Sequence, residues 1–167
     1  MWRWCISVVL LTMAARALDS LPLQIALWPP VQTVCRETDV QGLKLNLPYG
    51  DNDFVQGIDL GIVSGSECFT GIQVNLVNWV RDLATGVQIG VANTDGAAEG
   101  LAIGAMNTTQ TRMTGMQVGA LNYAEDAAGM QIGLINIAET MVGLQIGLVN
   151  VIRDSPIPCI PILNWEF

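Results

Sequence analysis

The stretch that decides the fold is residues 143–150, Gly-Leu-Gln-Ile-Gly-Leu-Val-Asn. The same unit, with conservative changes, begins again at positions 129, 115, 100, 86 and 71, so successive copies are 14 or 15 residues apart. Degenerate copies begin at Gly57 and Gly42, the segment Pro22–Pro29 is in phase, and a further 14-residue step forward places Asn164 at the Asn position. Fixed-period self-similarity over about ten units is the signature of a repeat architecture.

Within a unit numbered one to fourteen from its first Gly, positions two, four and six are apolar and position three is usually Gln. This alternation with a period of two predicts a β-strand with one apolar and one polar face. We therefore expect Ile132 and Ile146 to be buried in a continuous apolar core, and Gln131 and Gln145 to lie on the opposite strand face. Positions ten to thirteen are variable and polar, which predicts a surface turn.

Position seven is also apolar, so the alternation slips between six and seven in every unit. The slip predicts a corner, with the Gly at position five supplying backbone freedom. Position eight is Asn, which suits a corner because it tolerates left-handed backbone. In a stack of units such amides can hydrogen-bond to one another as ladders. The predicted ladder residues are Gln73, Gln88, Gln117, Gln131 and Gln145, with Asn78, Asn93, Asn107, Asn122, Asn136, Asn150 and Asn164.

The unit is all-β and fits two architectures. In a β-solenoid each unit is one coil, and equivalent residues of successive units lie about 4.8 Å apart in a parallel stack. In the alternative each unit is one strand of an antiparallel meander that closes into a small β-barrel of about 8–10 strands, for which the alternating tail Leu163–Phe167 is evidence. Low aromatic content, 6%, favours the solenoid. Pro158 and Pro161 also favour the solenoid. Because proline has no backbone donor, the two residues protect the exposed edge of a solenoid, whereas they would remove hydrogen bonds from a closed barrel.

Residues 1–17 fit a secretory signal peptide, because the apolar run Cys5–Ala15 is followed by the small-x-small pattern that ends at Ala17. We expect the exported chain to begin near Leu18. Export predicts a location at the cell surface, in the periplasm or in the outer membrane. The remaining residues, 18–167, are predicted to form a single β-repeat domain with a lead-in segment 18–56, core repeats 57–150 and a C-terminal capping repeat 151–167.

Composition limits the possible partners. Removal of residues 1–17 takes away Arg3 and Arg16 and leaves five basic and fifteen acidic residues, a net charge near −10. Nucleic acid is therefore not an expected partner, since phosphate contacts need clustered Lys and Arg. We expect an unidentified macromolecular or surface partner, with membrane contact only if the barrel alternative holds.

The chemistry of catalysis and metal binding is sparse. The chain has no His, and Cys35, Cys68 and Cys159 show no C-x-x-C spacing. The acidic residues around Asp53 lack the pattern of a calcium loop and its distal Glu. We therefore expect no enzyme activity, no cofactor and no metal site.

With its units aligned, the chain resembles a family of exported bacterial surface-repeat proteins of the leptospiral type. That family carries tandem Gly-Leu-Gln-Ile-Gly-Leu-Val-Asn units and ends with a Pro-rich segment before an Asn-aromatic-x-Phe terminus. The similarity covers Pro22 to Phe167, and departures include Ala102 in place of Gln and Asn75 in place of Gly. The resemblance implies a secreted or cell-surface protein with no established enzyme activity, and so a non-catalytic binding or structural module.

Overall fold

The computed structural model describes residues 20–28, 31–33 and 35–167, and the predicted signal peptide lies outside them. Nearly all described residues are in strands: β1 (Ser20–Trp28), β2 (Val31–Gln32), β3 (Asp39–Ile89), β4 (Ala92–Ile152) and β5 (Cys159–Glu166). Within the described part of the chain, no helix has the length and apolar character needed to cross a membrane.

The long strands β3 and β4 are wound into coils that pair with one another. The amide of Val91 donates to Leu76 O at 2.8 Å, and that of Met106 donates to Val91 O at 3.0 Å, so each bond joins residues 15 apart. Between the two strands the pairing is parallel and in register, with Asn78 opposite Asn93. The predicted β-solenoid is confirmed, and the antiparallel barrel is not the fold.

Successive coils stack at the first Gly of each unit. Gly129 has φ +139°, and a Cβ on it would lie 2.0 Å from Gly115 O. Both the left-handed backbone and the close approach therefore require glycine here. We call the strand segments that begin at these corners rungs 1 to 9; they start at Pro22, Gly42, Gly57, Gly71, Gly86, Gly100, Gly115, Gly129 and Gly143.

The Gly at position five has a different role from the one predicted. Positive φ occurs at position one and not at position five. A Cβ on Gly133 would instead lie 2.3 Å from Gly119 O and 2.7 Å from Asn122 Nδ2. In the rungs that have Gly at position five, the residue faces the interior beside the Asn side chains, where an added Cβ would clash.

Both ends of the stack reverse direction. At the start β1 pairs in parallel with β3 and antiparallel with β2, and at the end β5 pairs antiparallel with β4. The sheet order is β2-β1-β3-β4-β5. The tail therefore does not add another parallel unit as the 14-residue step suggested, and Asn164 lies opposite Gln145 instead of Asn150.

The assignment of the strand faces was wrong. Gln131 and Gln145 are fully buried, whereas Ile132 is only half-buried, Ile146 is 36% exposed and Leu148 is 68% exposed. The apolar interior comes instead from position ten, within the segment predicted to be a polar turn at positions ten to thirteen, and from the residue two places before the first Gly of the next unit. Its members form two clusters: Val40, Val55, Phe69, Val80 and Ala84, and Met113, Ala124, Ala127, Ala138, Met141 and Ile152.

The physical reason is the narrow coil. A 14-residue turn encloses little space, and flat amide side chains stacked at the spacing between rungs fill it while satisfying their own donors and acceptors. A buried amide that is fully hydrogen-bonded avoids the desolvation cost that normally keeps polar groups outside. Alternation separates the residues into two faces, but it does not say which face points inward.

Candidate functional site

The Asn residues at position eight form a continuous hydrogen-bonded column inside the solenoid. Asn78 Nδ2 donates to Asn93 Oδ1 at 2.6 Å, and the pattern repeats upward until Asn136 donates to Asn150 at 2.8 Å. Each amide also donates to the backbone carbonyl of position four in the next rung, as Asn122 does to Ile132 O at 2.9 Å. Rungs 4 to 9 are thereby joined in succession by these side chains.

The Gln residues at position three form a second column with the opposite direction of donation. Gln145 donates to Gln131, and Gln131 to Gln117, both at 2.8 Å. Gln88 donates to Gln73 at 3.0 Å. Ala102 interrupts the column between these two groups, and Gln117 donates instead to Thr109 Oγ1 at 3.0 Å.

The last predicted ladder residue lies in a different place. Asn164 is buried, but the reversal of β5 places it opposite Gln145 at the end of the Gln column. The structure therefore brings six predicted Asn residues, Asn78 to Asn150, into one column and the five Gln residues into another that is broken at Ala102.

A charged pair replaces two members of the Gln column near the start of the chain. Lys44 and Asp59 occupy position three of rungs 2 and 3, and both are fully buried, with Lys44 Nζ 3.7 Å from Asp59 Oδ2. The ammonium donates to Ser64 Oγ at 3.0 Å and to Gly65 O at 2.9 Å. Sequence reasoning missed this pair, although two opposite charges at successive Gln positions were the signal that could have found it.

Asp59 is the acceptor at the centre of this cluster. Asn46 Nδ2 donates to its Oδ1 at 2.6 Å, and Gln73 Nε2 donates to its Oδ2 at 3.1 Å. Ser64 Oγ also donates to Oδ2. Burial lowers the pKa of the Lys44 ammonium from its ordinary value, and the nearby Asp59 carboxylate opposes that shift. The Lys, Asp and Ser side chains are enclosed and bound to one another, so they present no reactive group to a substrate.

Asp95 is a second buried acid, located at position ten of rung 5. It is 1% exposed, and Gln88 Nε2 donates to its Oδ1 at 2.8 Å. Burial raises the pKa of its carboxyl to about 7, against the lowering effect of the Gln88 hydrogen bond. The protonation of this interior group therefore changes near neutral pH.

The arginines of the described residues lie along the turn edge of the coils, and each is paired there with an acidic side chain. Arg36 contacts Asp53 and Glu67, both at 2.8 Å, and Arg81 contacts Asp51 at 2.7 Å and Glu67 at 3.1 Å. Farther along the stack, Arg112 and Arg153 each bridge to an acidic residue.

No group of three or more His, Cys, Asp or Glu residues within the described ranges is arranged to hold a metal ion. The thiol of Cys68 lies 3.7 Å from Asp82 Oδ2, and burial raises its pKa. Cys159 is an exposed free thiol in β5.

The largest feature of the surface is one apolar strand face that runs the length of the stack. It consists of positions two, four and six of all nine rungs, and every one of these 27 residues is apolar. None of the 27 is buried, and all nine at position six are exposed. We call this surface the apolar face; its members are Leu23, Ile25, Leu27, Leu43, Leu45, Leu47, Ile58, Leu60, Ile62, Ile72, Val74, Leu76, Val87, Ile89, Val91, Leu101, Ile103, Ala105, Met116, Val118, Ala120, Met130, Ile132, Leu134, Leu144, Ile146 and Leu148.

The apolar face has one open depression, of about 630 Å³, near the C-terminal end of the stack. It lies between the columns of positions four and six, where Val118 and Ala120 are smaller than the Ile132 and Leu134 of the next rung. Ile162 of β5 closes one end. The depression is lined by aliphatic side chains and glycine backbone, so it has the shape to receive an apolar side chain.

Comparison of the chain with protein-family models, with curated proteins and with solved structures found no match. The arguments for function below therefore come from the solenoid itself and from the chemistry of its surfaces.

Proposed function

We propose that the chain is an exported, non-catalytic envelope or cell-surface protein that acts as a binding or structural module through its apolar face. The observation that carries this proposal is the uninterrupted set of 27 apolar residues without a single charge. Contiguous apolar patches above a few hundred Å² are rare on monomeric soluble proteins and are typical of interaction surfaces. Sequence features of the N-terminus and the repeat motif support export.

The energetic cost of leaving this face in water supports the same proposal. Apolar area removed from water contributes about 25 cal/mol per Å², so covering a face of several hundred Å² gains on the order of 10 kcal/mol before the costs of association. The interior amide columns hold the rungs together without these side chains. The apolar residues are therefore available for contacts outside the chain.

The absence of catalytic activity is proposed from the burial of the reactive groups. Lys44, Asp59 and Ser64 are fully buried and hydrogen-bonded to one another. The depression on the apolar face contains aliphatic groups and no acid, base or nucleophile. A surface of this composition supports binding rather than bond breaking.

The test is expression of the full chain in a Gram-negative host, with N-terminal sequencing of the exported protein and fractionation of the cells. Cleavage after Ala17 is expected. Ile103→Asp, on the apolar face, should shift the protein from the envelope fraction or from an associated form to an unassociated and smaller one, as measured by fractionation and by size-exclusion chromatography. Val142→Asp is the matched control, because Val142 is 59% exposed and lies outside the apolar face.

Identical fractionation together with identical size-exclusion elution of the parent, the Ile103→Asp variant and the control would contradict a docking role for the face. Recovery of the intact Met1 terminus from the exported protein would contradict the proposed signal peptide. These two outcomes are independent, since the first concerns the face and the second concerns export.

A further inference from the structure

We infer that the occupant of the apolar face is a second copy of this chain, docked face to face to form a two-layered dimer. The inference rests on the proposed docking role of the face and names its partner. Three observations carry it: the size of the face, the placement of the charges and the structure of the two ends of the stack.

The first observation is area. Nine rungs at about 4.8 Å spacing span roughly 40 Å, and positions two to six of a strand, with their side chains, span roughly 17 Å. The flat area is then on the order of 700 Å², close to the roughly 800 Å² that each partner contributes to a stable protein interface. Sheets with the same twist pack in this way, with their inner side chains interdigitated across about 10 Å.

The second observation is charge. The four arginines among the described residues lie along the turn edge and are each held by an acidic side chain, and Lys44 is buried. The apolar face therefore has no rim of available cations to attract phosphate headgroups. A flat, uncharged, aliphatic β-face is complementary in chemistry to an identical face, and the net charge of the exported chain, near −10, is carried elsewhere on each copy.

The third observation is that the ends of the stack do not offer a parallel rung for another chain. The C-terminal end of the first rung pairs with the two-residue antiparallel strand β2, and the last rung pairs with antiparallel β5. These antiparallel strands oppose the end-to-end addition of further chains. Association that uses only the apolar face therefore stops at two copies. The depression at Ala120 gives that face a place where a large side chain of the second copy can insert.

Ile89 makes the arrangement testable. It stands at position four of rung 5, the centre of the apolar face, and it is 40% exposed. A two-fold axis that overlays the two faces fully brings the centre of one face onto the centre of the other. Ile89 of one copy therefore meets Ile89 of the second copy, whether the two stacks run in the same or in opposite directions.

The experiment is sedimentation velocity on the purified exported protein and its variants. The parent should sediment as a dimer, and Ile89→Glu and Ile89→Lys should each raise the dimer dissociation constant by on the order of a hundredfold or more, because each places like charges opposite one another in an apolar interface. An equimolar mixture of the two variants should recover dimers. Val142→Glu and Val142→Lys, outside the face, should behave as the parent does. Circular dichroism of each variant should match the parent.

Salt provides a second readout. Higher ionic strength should leave the parent dimer intact or strengthen it, because salt screens repulsion between two acidic copies. Docking to anionic lipid through charge would instead weaken as the ionic strength rises.

A parent that sediments as a monomer overturns the inference. If that monomer floats with phosphatidylcholine vesicles and Ile89→Glu does not, the occupant is a lipid surface; the docking role of the face then survives and the dimer does not. A dimer that both Ile89 variants leave unchanged shows that the copies meet elsewhere. Failure of the mixture to recover dimers, with both single variants monomeric and folded, also overturns the face-to-face arrangement.

Discussion

Asn122 donates its side-chain amide to Asn136 Oδ1 at 2.8 Å, in the fully buried interior of the solenoid. The same Asn122 accepts from Asn107 at 2.8 Å and donates to Ile132 O at 2.9 Å. One side chain therefore joins three successive rungs. This arrangement makes the buried amides, rather than the aliphatic residues of the strands, the main side-chain link between these coils.

Asn122→Ala should destabilise the fold by roughly 2–4 kcal/mol, because it removes three hydrogen bonds and leaves buried polar atoms of the neighbouring rungs unsatisfied. Val142→Ala, at an exposed site outside both the interior and the apolar face, should change the free energy of unfolding by no more than about 0.5 kcal/mol. Urea denaturation of the two variants beside the parent measures the difference. Equal losses would mean that the Asn column is not a main source of stability.

Much of the fold could be predicted from the repeat alone. The period and the all-β class follow from identical units at fixed spacing, and parallel stacking, which places Asn122 beside Asn136, was the favoured of the two architectures that fit them. The inward direction of the amides could not be predicted, because alternation is the same whichever face points inward. The position of Asn164 was predicted wrongly for a related reason. Its spacing fits the repeat, but the chain direction reverses at the prolines before it. Spacing alone does not reveal that reversal.

The exposure of the apolar face could not be predicted, for the same physical reason as the burial of the amides. Ile132 and Ile146 were predicted to be core because apolar residues usually lie inside a folded chain. Here the 14-residue coil is too narrow to enclose them, and small residues such as Ala138 fill the apolar side of the interior. The proposed docking surface therefore includes the residues that were predicted to be core.

Removing one partner of the buried pair Lys44–Asp59 should lower the free energy of unfolding strongly, whereas replacing both partners should lower it little. Lys44→Gln alone leaves the Asp59 carboxylate buried without its cation and should destabilise the protein by about 3–5 kcal/mol. The double variant Lys44→Gln/Asp59→Gln restores the residue that the column uses elsewhere and should lose much less. Denaturant titration of the two single variants and the double gives the coupling energy. Additive losses would contradict the account of the pair as one unit.

The prolines of the tail should limit association at the last strand. Pro161 lies within β5, the outermost strand at that end of the sheet, and Pro158 directly precedes it. Replacing both with Val adds two backbone donors to this edge and should promote growth beyond the parent assembly. Light scattering at high protein concentration measures this growth. A double variant that stays as monodisperse as the parent would show that the reversal of β5 alone is sufficient to block the edge.

The last prediction concerns the dependence of stability on pH, through Asp95. Burial raises the pKa of its carboxyl in the folded protein to about 7 from its ordinary value of 3.8. Between these values the folded state binds a proton that the unfolded state lacks, so stability should fall as pH rises from about 4 to about 7 and should change little from this group outside that window. The total effect is on the order of 4 kcal/mol.

Asp95→Asn cannot ionise and can still accept from Gln88, so it should remove this part of the pH dependence. The variant should be more stable than the parent at pH 8 by a few kcal/mol, and the difference should shrink towards pH 4. Asp154→Asn, at an exposed site, is the control and should follow the parent at both values. Urea titrations of the three proteins at pH 4.5 and pH 8 measure the effect. Parallel pH profiles for the parent and Asp95→Asn would show that Asp95 is not the buried acid that titrates near neutral pH.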